Sequence, residues 1–341
     1  MAAAKPTTVL VTGGAGYIGS HAAKALRQAG HHVVIYDNLC AGHREAALGA
    51  PLIQGDTADV DTMRRAIRES GASAVMHFAA WLSVPDSVRD PAGYYRNNVT
   101  GTIGTLEAMA AEGCRQFVFS STCAVYGEPV ETPIRETHPT SPVNSYGQTK
   151  LAIEHALPHF DRAYGIRSIR LRYFNAAGAD PDGELGEDHA PEIHVIPRAI
   201  EAARGGPPID IFGEDYPTPD GTCLRDYIHV VDLADAHLRA LAWLQDGGAS
   251  GTYNAGTERP TSVKDVIAAV EKVTRLPVAR RSAPRRAGDP AVLYASAERI
   301  RRDLGWVPQR PDLETIVADA WRWHAKHPHG YGGDRENLLH S

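Results

Sequence analysis

Cysteine is scarce. Cys40, Cys114, Cys123 and Cys223 form no CxxC and stand far apart in 341 residues, which points to reduced thiols rather than a disulfide framework. The opening MAAAKPTTVLVTGG carries no signal-like apolar h-region before its first β-branched run, so a cytoplasmic protein is expected. No apolar run approaches the ~20 residues that span a bilayer, and internal repeats and low-complexity tracts are missing. Positive charge is also short: 35 Lys and Arg against 41 Asp and Glu give a net charge of -6. The basic residues are scattered, which leaves no footprint for nucleic acid. The partner expected is a small molecule, with no nucleic acid and no membrane.

What remains is 43% hydrophobic and 22% charged, long enough for a full α/β core and a second region. Short β-branched runs at Thr8 to Val11, His32 to Tyr36, Pro51 to Gln54, Ala74 to Phe78, Gln116 to Ser120 and Arg167 to Arg172 read as strands. They alternate with helical stretches near Ile18 to Ala29, Val60 to Ser70, Ala92 to Glu112 and Ser145 to Tyr164. Alternation of this kind predicts an α/β fold with a doubly wound parallel sheet, whose ligands gather at the C-terminal ends of the strands. After Asn175 the texture turns to Gly- and Pro-rich loops broken by helices near Val231 to Leu244 and Val263 to Thr274. Residues 1–178 are expected to form a Rossmann-type domain. Residues 179–341 are expected to form a smaller, mainly substrate-binding α/β region, with parts near 226–256 returning to the first domain.

Directly after the first strand comes VLVTGGAGYIGS, in which Gly13, Gly16 and Gly19 fit G-x-x-G-x-x-G at a helix start. Gly13 permits the tight turn, Gly16 lets backbone approach a pyrophosphate, and Gly19 lets helix and strand pack closely. The second strand ends in Asp37, whose carboxylate can accept from both ribose hydroxyls and would repel a 2′-phosphate, so NAD is expected over NADP. Asp56 either accepts from the adenine amino group or caps the helix that begins near Val60.

Tyr146 and Lys150, in NSYGQTK, stand one helical turn apart on one face. A free phenol titrates near 10, so a phenolate base at neutral pH needs the lysine and a positive nicotinamide beside it. A shift of ~3 units corresponds to about 4 kcal/mol. The spacing alone says little in a chain with 13 Tyr, but its position after the fifth strand does. That strand ends FVFSSTCAVYG, placing Ser120, Ser121 and Thr122 where a hydroxyl can bind a reacting alcohol.

TGGAGYIGSH, SSTCAVYG and SYGQTK together resemble the extended short-chain dehydrogenase/reductase family. LRYFNAAGADPDGELGED, the segment from IFGEDYPTPDGT through RDYIHVVDLADAH, and APRRAGDPAVLYAS narrow the resemblance to the UDP-glucose (UDP-galactose) 4-epimerases within it. The resemblance implies that Tyr17, Ile18, Asp37, Asn38, Asp56, Thr57, Phe78, Ala79, Ala80, Asn98, Lys150 and Phe174 surround NAD. Thr122 and Tyr146 would face the sugar C4 hydroxyl. Asn175, His194 and Val195 would approach the nucleotide sugar, Phe212 would lie beside uracil, and Arg225, Arg286 and Asp289 would hold the diphosphate and ribose. A guanidinium suits phosphate oxygens; the alternative for Arg225 is an ion pair with a neighbouring carboxylate, and for Arg286 a solvated basic face. The implied activity is C4 epimerisation of a UDP-hexose through a transient 4-keto sugar, with Tyr146 as the base, in a homodimer joined through the Ala92 to Glu112 helix.

Two positions depart from the family pattern. Leu82 replaces a lysine near the nicotinamide. Leu293 stands at the gate on the sugar pocket, where a large tyrosine excludes N-acetyl groups, so UDP-N-acetylhexosamines enter the expected substrate range. The histidines of WRWHAKHPHG read as an exposed helix end, and no metal is expected. Two further readings stay open. One is a sugar-nucleotide 4,6-dehydratase, which needs an acid and a base where Cys123 and Ala124 stand; the other is a catalytically silent, NAD-sensing binding protein.

Overall fold

A computed structural model describes residues 6–286 and 289–332. Its strands are β1 (Thr8–Thr12), β2 (His32–Asp37), β3 (Leu52–Gln54), β4 (Ala74–His77), β5 (Gln116–Ser120), β6 (Arg167–Tyr173), β7 (Asn175–Ala177), β8 (Ile209–Phe212), β9 (Leu224–His229), β10 (Gly251–Ala255), β11 (Pro260–Ser262), β12 (Arg280–Ala283) and β13 (Val292–Leu293). The first six begin and end within one residue of the sequence expectation. With β10 they form a parallel seven-stranded sheet in the order β10-β6-β5-β4-β1-β2-β3. The order reverses between β1 and β4, the place where sheets of this kind take a ligand.

The sheet is apolar on both faces because each is covered. Val9, Val11, Ile35, Met76 and Val118 face one layer, containing α1 (Tyr17–Gln28) and α8 (Val230–Gln245). Leu10, Val75, Phe117 and Phe119 face the other, with α2 (Val60–Ser70), α5 (Gly101–Glu112) and α6 (Ser145–Tyr164). Each such fully buried side chain contributes about 1.5–3 kcal/mol. Between β4 and α5 lie α3 (Val84–Arg89), α4 (Pro91–Tyr94) and a π-helical turn over Tyr95–Thr100. The segment expected as one uniform helix is thus wider in its middle, which is where Asn98 sits.

A smaller unit surrounds β9, which pairs in parallel with β7 and β13 and antiparallel with β11; β8 and β12 form a separate parallel pair. Its core joins Ile196 and Ile200 of α7 (Val195–Ala203), Val266 and Val270 of α9 (Val263–Thr274), and Ile316 and Val317 of α11 (Leu313–Lys326). Helix α10 (Glu298–Leu304) packs back on the first core through Ile300 and Leu304. Only α8 and β10 of the 226–256 stretch join the large sheet, since β9 pairs within the smaller unit.

The histidine-rich end differs from expectation. His327 stacks on Trp323 (5.2 Å) and donates from Nε2 to the Gly183 carbonyl (3.2 Å), and His324 stands edge-on to Trp323 at 5.0 Å. The tail is held because Gly186 approaches Trp323 so closely that a Cβ would lie 2.1 Å from the indole.

Candidate active site

The nucleotide cradle is built by steric necessity at two glycines. Gly13 has φ +68°, and a Cβ there would meet the Ala79 backbone nitrogen at 2.5 Å; a Cβ on Gly19 would meet the Gly13 carbonyl oxygen at 2.1 Å. Gly16 caps α1 with no side-chain hydrogen bond, leaving the N–H groups of the first turn to face an anion. Asp37, 8% exposed, accepts from Ala15 N (3.0 Å) and Leu39 N (2.8 Å). Burial raises its pKa while these bonds oppose the rise. Each carboxylate oxygen keeps a lone pair for a ribose hydroxyl.

Asp56 accepts from Ala58 N (2.9 Å) and Asn38 Nδ2 (3.2 Å), whereas the cap of α2 is Asp59, which accepts from Thr62 N. The capping alternative for Asp56 is therefore set aside, and its carboxylate borders the β2–β3 end of the cleft. Thr57 packs against Gly101, where a Cβ would come within 2.4 Å of its hydroxyl oxygen. Tyr17 donates to the Gly178 carbonyl (2.7 Å), and Ile18 packs on the sheet core. Phe78, Ala79 and Ala80 follow β4, with Phe78 against the His237 ring at 4.7 Å. Asn98 works as a clamp: its Oδ1 accepts from Trp81 N (2.9 Å), and its Nδ2 donates to Trp81 O and Thr149 Oγ1, both at 3.1 Å. It fixes the loop after β4, on which Leu82 is exposed. Phe174 is buried with Val125, Tyr126, Leu151 and Ala295, beneath the reacting groups. The uncapped helix end, the close-packed glycines and the Asp37 acceptor fit NAD.

The reacting groups converge from β5 and α6. Asn144 caps α6 by accepting from Gly147 N (2.9 Å), and Gly147 packs so tightly on the turn after β5 that a Cβ would lie 2.6 Å from the Ala124 carbonyl oxygen. The first turn of α6 thus rests against Thr122, whose hydroxyl accepts from Ala124 N (3.1 Å). Burial pushes the Tyr146 phenol well up, Tyr173 adds to this, and the Thr122 hydroxyl pulls the other way. Burial also lowers Lys150 to about 7, with Glu154 opposing. Its ammonium donates to the Ser120 carbonyl (2.9 Å) and lies 6.0 Å from the Tyr146 ring centroid. The sequence pattern assigns Lys150 the task of lowering the tyrosine; in the protein alone, burial wins.

Below the site lies a buried network centred on Glu154 and Arg172, to which the sequence motifs assign no role. Glu154 accepts from Ser121 Oγ (2.5 Å) and Arg172 Nε (2.9 Å), Arg172 lies over the Tyr126 ring (4.8 Å), and Tyr126 donates to Asn254 Oδ1 (2.6 Å). One signal points to it: Tyr146, Lys150 and Glu154 recur every four residues on one helix face.

Of the residues expected on the substrate side, Asn175 opens β7 and pairs in register with Tyr227. His194 precedes Val195, the first residue of α7, and lies 2.8 Å from Glu187 and 3.0 Å from Glu192. Burial disfavours its charge, but the two carboxylates prevail and raise it to about 10. Arg225 is ion-paired with Asp289 and donates to Leu224 O (2.8 Å), so the neighbouring carboxylate that offers Arg225 an alternative role is Asp289, another residue of the expected set. Arg286 lies over the Phe212 ring at 3.8 Å, while Arg285 pairs with Asp215. Leu293 and Cys123 pack on one apolar cluster, and Arg225 acts electrostatically on the Cys123 thiol. These contacts bring the Arg225 and Leu293 side next to the Thr122 turn.

Among the described residues no helix is long and apolar enough to cross a membrane. The model of the NAD dependent epimerase/dehydratase family matches residues 9–256. The UDP-glucose 4-epimerase of Halalkalibacterium halodurans is 48% identical over 96% of this chain and 99% of its own. The crystal structure of UDP-glucose 4-epimerase from Brucella ovis in complex with NAD superposes with a TM-score of 0.91 at 46% identity, covering 92% of this chain and 97% of that one. That from Bifidobacterium longum in complex with NAD+ and UDP gives 0.89 at 36% identity over 95% and 100%. The chain belongs to the NAD dependent epimerase/dehydratase family, and within it to the UDP-glucose 4-epimerase group that its motifs resemble.

Proposed function

We propose that the protein is an NAD-dependent isomerase that interconverts UDP-galactose and UDP-glucose at C4 through a transient 4-keto sugar. The observation that carries this reading is the convergence of Thr122, Tyr146 and Lys150 at the end of β5, beside a cradle that fits NAD. NAD, which the Gly13, Gly16 and Gly19 turn and Asp37 would hold, would supply a hydride acceptor and donor for C4. Tyr146 takes the C4 hydroxyl proton and later returns it, Thr122 orients that hydroxyl, and Lys150 offsets the phenolate charge that burial opposes. Arg225 and Arg286 hold the diphosphate, with Asp289, Asn175, His194, Val195 and Phe212 shaping the nucleotide end and Leu293 the sugar end. Firm anchoring of UDP leaves the hexose free to turn over between the two hydride transfers.

A 4,6-dehydratase is not favoured, because Cys123 and Ala124 provide no acid–base pair beside the turn and burial pushes the Cys123 thiol up to about 12. A silent NAD sensor is not favoured either, since the three reacting side chains are intact. A homodimer through the Ala92 to Glu112 segment and a cytoplasmic location complete the proposal. Incubating the protein with UDP-galactose and following the sugar C4 proton by NMR tests the activity. UDP-glucose should accumulate to equilibrium, and its absence even with NAD supplied would sink the reading.

A further inference from the structure

Between β7 and α7, Glu187, His189, Glu192 and His194 bring four donor atoms within 4.8 Å of one another. His194 Nδ1 stands 2.8 and 3.0 Å from Glu187 and Glu192, and His189 Nδ1 stands 3.3 and 3.7 Å from the same carboxylates. Zinc–nitrogen and zinc–oxygen bonds of about 2.0–2.1 Å place tetrahedral ligand atoms roughly 3.3 Å apart. The four observed separations straddle that value. Glu187 is buried, and the buried His189 Nδ1 makes no hydrogen bond although both carboxylates are in ion-pair range.

A second carboxylate cluster shows what a filled site looks like. Asp180, Asp182 and Glu184 also converge, but the Lys24 ammonium lies among them at 2.8, 3.5 and 2.7 Å. Among the described residues, no lysine or arginine pairs with Glu187 or Glu192; the two histidines do, and Glu192 Oε1 also accepts from Ile193 N and His194 N, both at 2.8 Å.

We propose that Glu187, His189, Glu192 and His194 form a divalent-metal site of zinc type. No metal is expected here from the sequence, because the histidine pattern that attracts notice lies in the tail. Ligation through Nδ1 displaces any proton those nitrogens carry, and a divalent cation brings two positive charges to the two carboxylates. Two imidazole nitrogens and two carboxylate oxygens suit Zn²⁺ or Co²⁺, whereas Mg²⁺ and Ca²⁺ demand more oxygen ligands. Four protein ligands leave no open position, so the metal is structural. The His189 ring stands edge-on to Tyr17 at 6.3 Å, and His194 leads into α7. The metal therefore fastens the strap that joins the start of α1 to the start of α7.

The test uses the untagged full-length protein, stripped with a chelator and titrated with Co²⁺. One equivalent should bind with the intense visible absorption of a tetrahedral complex, and Zn²⁺ should displace it and raise Tm. His189→Ala and Glu192→Gln should each weaken Co²⁺ binding at least ~10-fold, while a His324→Ala/His327→Ala variant should bind normally. X-ray absorption of the zinc-loaded wild-type protein tests the ligand set without substitutions and should show mixed imidazole and carboxylate ligation at four-coordinate distances. No stoichiometric binding, an octahedral spectrum, or full-strength binding in both His189→Ala and Glu192→Gln would overturn the proposal.

Discussion

Replacing Gly19 and Gly16 separately by alanine should damage the protein in two different ways. In α1, a Cβ on Gly19 would sit 2.1 Å from the Gly13 carbonyl oxygen and 2.9 Å from Gly14 Cα. The loop must retreat by roughly 1 Å or more to restore van der Waals contact. Overpacking of that kind costs about 1–3 kcal/mol, offset by ~1 kcal/mol of helix propensity, for a net loss of about 0–2 kcal/mol. The retreat also misplaces the N–H groups that would face the pyrophosphate. Losing one charge-assisted hydrogen bond, at about 1.5–3 kcal/mol, weakens NAD by roughly 10- to 150-fold. A Cβ on Gly16 meets only the Gly13 carbonyl oxygen, at 3.4 Å, and φ there is -85°. Gly16→Ala should therefore stay within ~1 kcal/mol of wild-type stability, since only the cap is altered, yet still lose at least ~10-fold in NAD affinity because its methyl occupies the approach to the helix end. Denaturant titration of NAD-stripped protein and calorimetric NAD binding separate the two. Wild-type affinity in Gly19→Ala, or a larger stability loss in Gly16→Ala than in Gly19→Ala, would refute the assignment of steric and binding roles.

Tyr146→Phe should lower kcat at least ~10²-fold while UDP binding survives, because a general base is worth that much; near-normal turnover removes Tyr146 from its role. Lys150 carries a folded-state pKa lowered to about 7 from 10.5, so between those values the unfolded chain holds a proton that the folded one lacks. Stability of the NAD-stripped protein should then rise with pH across that window by up to about 1.4 kcal/mol per unit relative to Lys150→Met, and parallel pH profiles for the two proteins would contradict the burial argument. With Leu293 at the sugar end, UDP-N-acetylglucosamine should be epimerised as well. Leu293→Tyr should cut kcat/KM for it by about 10-fold or more while sparing UDP-glucose; equal losses for both substrates would speak against a gate.

The six β-branched strands were legible because a parallel sheet covered on both faces demands near-continuous apolar runs, and the glycine fingerprint was legible because its spacing follows from backbone contact. Less visible were features that depend on tertiary packing. The π-helical turn at Tyr95–Thr100 leaves no periodic trace, and Pro85 and Pro91 only hint at the short helices before it. Glu154 and Arg172 look like surface charges in the sequence and are core residues in the fold, 5% and 7% exposed. The pairing of Arg225 with Asp289 joins residues 64 positions apart, and His327 reaches Gly183 beside a close approach of Gly186 and Trp323 that neither segment announces alone.

Epimerisation by this route requires that the hydride lost from C4 return to C4. UDP-galactose deuterated at C4 should yield UDP-glucose that retains the label, with no solvent hydrogen at that carbon and no loss of an oxygen by mass. Washout of the label into water, or a product lighter by one water, would contradict the account.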